Sequence, residues 1–126
     1  MARLFTLDEA NALLPQLRAL LTELRQAVEE LIALEGVAEP SGKVRRNGHH
    51  TGGDEVERQR RLQGTVTRLV GEVQALEVEL KDPRTGLIDF SSRRDGQVVH
   101  LCWKLDEPEV AFWHPLDTGF AGRQPL

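Results

Sequence analysis

From Ala10 to Leu34 apolar residues recur at three-four spacing (Ala10, Leu13, Leu17, Leu20, Leu24, Ala27, Leu31, Leu34), and Leu14, Leu21 and Val28 widen the stripe on one flank. That period predicts an amphipathic helix over 6–36. The Thr6 hydroxyl can cap the free amides of the first turn, with Glu9 reaching back three residues on, and Gly36 offers a C-terminal stop. Pro15 lies too far inside to be a first-turn proline. It removes a backbone donor and should bend the helix near residues 11–14. A second stripe (Leu62, Val66, Leu69, Val73, Leu76, Leu80) predicts a helix over 54–82, opened by Asp54 and stopped at Asp82-Pro83. Each helix would be about 40 Å long at about 1.5 Å per residue. The connection over 37–53, rich in glycine, proline and asparagine, makes an antiparallel hairpin the simplest packing. Gly64 and Gly71 each cost about 1 kcal/mol relative to alanine in a helix, so they are expected to mark a close approach by another element.

After Pro83 the period changes to two, in the runs "GLIDF", "QVVHLCWKL" and "EVAFWH", separated by "SSRRDG" and "DEP". The pattern predicts a three-stranded antiparallel β-meander and an irregular tail over 83–126. Asp95-Gly96 is a strong hairpin turn, and Asp106-Glu107-Pro108 makes a second. Alternation puts Val99, Leu101 and Trp103 on one side of the middle strand and Val98, His100, Cys102 and Lys104 on the other. Val110, Phe112 and His114 share a side of the third strand. Trp103 is expected to lie buried between the sheet and the second helix. The fold class is therefore α+β, and 126 residues with 40% apolar content suit one domain with a modest core.

Composition narrows the setting. The single cysteine, Cys102, excludes an internal disulfide. The first residues lack the apolar run of a signal peptide or membrane span, so a cytoplasmic address and no membrane contact are expected. Net charge is −4, and only the stretch Lys43, Arg45, Arg46, His49, His50 is locally basic, which argues against nucleic acid as a partner. The leucine stripe is broader than two helices bury on each other. It therefore points to self-association, as a homodimer, or to docking on a protein partner.

The chemically capable residues crowd into the last third. His100 and Cys102 sit at i and i+2 on one strand face, and His114 can approach from the neighbouring strand. Asp89 or Glu107 could complete four donors for zinc or another late divalent metal. The spacing matches no established zinc motif, and a lone buried cysteine is more often a small packed hydrophobe. The same residues could form a nucleophilic site, with Cys102 as thiolate, His100 or His114 as base and Asp89 orienting it. No helix N-terminus or glycine-rich oxyanion turn precedes the cysteine, which weakens that reading. Asp89, Glu107 and Arg123 could instead hold an anionic ligand, with Gly119 and Gly122 letting the backbone approach. The plainer alternative pairs Arg123 with Asp89 or Glu107. Asp89, His100, Glu107, His114 and Arg123 are expected to converge within one polar cluster at the sheet's edge.

Four stretches, "FTLDEANALLPQL", "KDPRTGLIDF", "VHLCWKLDEPEVAFWH" and "GFAGRQPL", closely resemble the prokaryotic family catalogued as domain of unknown function 2203, over nearly the whole chain. No activity is established for that family, so the resemblance sharpens the fold and leaves function to the residues. Those favour an interaction or self-associating module, with a small metal- or anion-binding protein as the alternative.

Overall fold

Thr6 begins the ordered helices as its sequence context predicts. Its hydroxyl accepts from the Glu9 amide at 3.1 Å, while the Glu9 carboxylate accepts from the Thr6 amide at 2.9 Å. The structure, a computed structural model, describes residues 3–35 and 52–126. The expected stop at Gly36 and the basic stretch 43–50 lie outside the described residues. Helix α1 (Leu7–Ala12) ends at Leu13, and α2 (Leu14–Glu35) starts directly after it. The break falls where Pro15 lacks the amide that would have continued the ladder.

Helix α3 (Gly52–Ala75) runs antiparallel to α2, as the ion pairs Glu23–Arg68 and Glu30–Arg58 require. It starts two residues before Asp54 and ends well short of the expected residue 82. The segment Glu79–Asp82 is a strand, β1. Glu77 takes a left-handed φ of 65°, which ends the helix. Leu76 and Leu80 fit a four-residue spacing, but with Val78 between them they fit a period of two equally well. Val78 is buried, and Leu80 packs on the same core.

The sheet has five strands rather than three. β1, β2 (Leu87–Arg94), β3 (Gln97–Trp103), β4 (Phe112–Pro115) and β5 (Gln124–Pro125) form one antiparallel meander in sequence order. Asp95 and Gly96 both adopt positive φ in the β2–β3 turn, as a two-residue hairpin of this type demands. Gly86, at φ 70°, could not be replaced easily: a Cβ there would lie 2.6 Å from the Leu105 Cβ. β5 lies inside the tail and is too short to leave a periodic pattern.

The sheet is buried on both faces. One face carries Ile88, Phe90, Leu101 and Trp103 into the core with Leu14, Leu17, Leu21 and Leu24 of α2 and Leu69 and Val73 of α3. Phe5 closes this core against Phe90, edge to face, with ring centres 5.2 Å apart. Val110 lies before β4 and joins this helix-side core, so it does not share a side with His114 as alternation had suggested.

Two expectations change in consequence. Leu14 and Leu21, which widen the stripe on one flank, are 2% and 0% exposed, and Val28 packs against the core. Leu14 and Leu21, on the flank on which self-association was argued, belong to the core shared with α3 and the sheet. Gly64 and Gly71 meet no other element among the described residues, since a Cβ built at either finds nothing within 4 Å there.

Two stability predictions follow. Trp103 is fully buried, and its indole donates to the Glu107 carbonyl at 3.0 Å. Trp103→Ala should cost about 3–5 kcal/mol in a denaturant titration, and an unchanged midpoint would place the ring outside the core. Gly64→Ala and Gly71→Ala should each stabilise by about 0.5–1 kcal/mol, and a loss of stability would mean that some element does approach these positions.

Candidate metal centre

The register of the meander decides which polar groups meet. Residues paired across neighbouring strands share a face. Glu79 pairs with Asp89, Asp89 with Cys102, His100 with His114 and Cys102 with Phe112. The face turned away from the helices therefore carries one carboxylate from β1, one from β2, an imidazole and a thiol from β3, and an imidazole from β4. The predicted alternation of β3 is what places His100 and Cys102 together there.

Asp89 is at the middle of this group and 3% exposed, with His114 at 2% and Cys102 at 0%. The His114 Nε2 lies 3.2 Å from Asp89 Oδ1 and 3.1 Å from Oδ2. On the other side of its ring, Nδ1 is 2.8 Å from the Pro115 carbonyl oxygen. The His100 Nδ1 lies 3.4 Å from Asp89 Oδ2, yet this buried nitrogen has no aligned hydrogen-bond partner. The two imidazoles stand edge to face, 5.2 Å between centres. One donor atom each from Asp89, Cys102 and His114 fall within 4.8 Å of one another.

Electrostatics follow from this packing. Burial is the largest single influence on Asp89 and disfavours its charge, but His100 and His114 together outweigh it and hold the carboxyl below its usual range. Burial pushes the Cys102 thiol up to about 12. The Asp89 carboxylate adds to the rise, and the Arg123 guanidinium opposes it. A thiol held so high is neutral at ordinary pH, so the nucleophilic reading of Cys102 lacks its thiolate.

The remaining predicted residues sit beside this group and pair with each other, although the buried Arg123 Nε has no hydrogen-bond partner among the described residues. Arg123 Nη2 donates to both Glu107 carboxylate oxygens at 2.8 and 2.7 Å, and its guanidinium lies between the rings of Phe112 and Phe120 at 4.1 and 4.7 Å. Glu107 Oε1 also accepts from the Lys104 amide at 2.9 Å. The plainer reading of Arg123, as a partner of Glu107, is thus the observed arrangement, and its charge is neutralised within the chain. Sequence reasoning missed Glu79, which a helix ending at 82 had hidden. It also missed the Pro115 carbonyl, a backbone group that no side-chain pattern announces.

The family described as Uncharacterized conserved protein (DUF2203) matches residues 3–126, and the chain belongs to it. Neither a curated protein nor a solved structure matches the chain. No helix among the described residues is long and apolar enough to cross a membrane.

The position of Asp89 gives a signed pH prediction. A carboxyl held low in the folded state contributes stability that is fully present above its unfolded value of about 3.9 and is lost as pH falls through the lower folded value. With a chelator present, Asp89→Asn should therefore lower the melting temperature at neutral pH, and the gap from the wild type should close as pH is taken from about 5 towards 2. A gap that stays constant over that range would show that the carboxyl is not held low.

Proposed function

We propose that this member of an uncharacterised family is a metal-binding protein, with Asp89, Cys102 and His114 holding one late divalent transition metal and His100 as the fourth donor. The observation that carries this reading is the orientation of His114. A carbonyl only accepts, so the contact with Pro115 makes Nδ1 the protonated nitrogen, and in the neutral ring Nε2 then turns a lone pair towards a carboxylate. Two acceptors 3.1 Å apart in a buried place need a cation between them.

A proton on Nε2 would meet that need for His114 and Asp89 alone. It would leave the buried Cys102 thiol without a role, whereas a metal ion uses all four. A backbone carbonyl fixing the tautomer of a ligating histidine is the usual outer support of such centres. A tetrahedral ion with bonds of about 2.0–2.3 Å needs donors about 3.3–3.8 Å apart. Small side-chain rotations would suffice for Asp89, Cys102 and His114, whose donor atoms lie within 4.8 Å of one another, and His100 would have to turn towards them. Mixed nitrogen, sulfur and oxygen donors suit zinc or cobalt(II) rather than calcium or magnesium. Four protein ligands drawn from β2, β3 and β4 would staple the meander, a structural rather than a catalytic geometry. Leu14 and Leu21 are buried within the chain, so the helix stripe leaves less apolar surface for self-association than its breadth suggested.

Untagged protein stripped with chelator should take up one equivalent of cobalt(II), with near-ultraviolet thiolate-to-metal absorption that disappears in Cys102→Ser. Asp89→Asn and His114→Ala should weaken binding by more than the roughly 10–100-fold typical of losing an outer hydrogen-bond partner. Binding drives the Cys102 proton into solvent, so affinity should rise with pH. Failure to take up cobalt(II) or zinc at micromolar concentrations, with the fold intact, would contradict the proposal.

A further inference from the structure

A centre whose donors are buried still has to be reached, and a hydrated divalent ion does not cross an apolar surface without exchanging its waters for ligands. The donor groups on the polar face form a graded path from solvent. The Glu79 side chain is 53% exposed, His100 is 12% exposed and Asp89 is 2% exposed. Each is near the next: Glu79 Oε2 lies 3.7 Å from His100 Nε2, and His100 Nδ1 lies 3.4 Å from Asp89 Oδ2. The pairing of β1 with β2 sets Glu79 directly opposite Asp89, so the path rests on the sheet register and not on a chance surface contact.

We infer that Glu79 is the capture ligand of the centre, taking a hydrated late divalent cation from solvent and passing it through His100 to Asp89, Cys102 and His114. This rests on the metal reading and adds the route and its control. The control is Lys81, whose ammonium lies 2.6 Å from Glu79 Oε1 and occupies the carboxylate that an incoming cation needs. An arriving metal must displace that ammonium, which makes Lys81 a brake on uptake. His100 has a nitrogen towards each carboxylate, so one ring can bridge the outer and inner positions with a small rotation. An exposed carboxylate of this kind acts on the association rate more than on final affinity, because it holds the ion only in passing.

Two substitutions at the surface should therefore move the rate in opposite directions. In stopped-flow mixing of chelator-stripped protein with cobalt(II), followed by the thiolate absorption, Glu79→Gln should slow uptake at least about tenfold. Lys81→Gln should accelerate it several-fold, and both should still bind one equivalent. Glu30→Gln removes the same charge from the far end of the hairpin and should leave the rate unchanged. Uptake by Glu79→Gln at the wild-type rate, or slower uptake by Lys81→Gln, would overturn the capture role while leaving the metal centre standing. If the unmutated protein takes up no cobalt(II), the centre and its capture ligand fall together.

Discussion

Everything on this sheet depends on β3 being buried on both faces. A half-buried antiparallel strand needs apolar groups on alternate residues only, and the other face is finished by water. Here Leu101 and Trp103 enter the helix-side core at 4% and 0% exposure, while Cys102 between them is also 0% exposed. The second face must therefore satisfy its own polar groups without solvent. The chain meets that demand with a carboxylate flanked by two imidazoles, one of them tied to a backbone carbonyl. An uncompensated charge there would cost several kcal/mol, so the group stands or falls as a unit.

Glu107 joins the two faces. Its carbonyl accepts from the Trp103 indole on the helix side and from Arg18 of α2 at 3.2 Å. Its carboxylate, on the other side, holds Arg123 and through it the tail that lies over Phe112. The turn between β3 and β4 thus fixes the helical hairpin to one face and the tail to the other. Arg123 and Glu107, two of the anion-ligand candidates, are paired with each other in this arrangement.

Much of this was legible in the sequence, and the reasons for the rest are physical. The capping box at Thr6, the break before Pro15, the Asp95-Gly96 turn and the alternation of β3 are local rules, and each appears as written. The first strand was read as helix because Leu76 and Leu80 satisfy both periods, and only the left-handed Glu77 separates them. β5 is two residues long and held by pairing with β4 and by the Leu126 amide bonded to the Ala111 carbonyl, which no pattern encodes. Residue types and strand alternation proposed His100, Cys102, His114 and Asp89 as a group. The distances among them came from strand register, which sequence periodicity leaves free by two residues in either direction.

The central claim is that a metal ion, not a proton, belongs between His114 and Asp89. Anomalous diffraction from crystals of zinc-loaded protein, recorded on either side of the zinc absorption edge, addresses it most directly. The account predicts a single strong peak about 2.0–2.3 Å from Asp89, Cys102 and His114, with His100 turned to complete a tetrahedron. No peak at that position, with His114 Nε2 still hydrogen-bonded to the Asp89 carboxylate, would contradict it and leave the cluster as a buried ion pair.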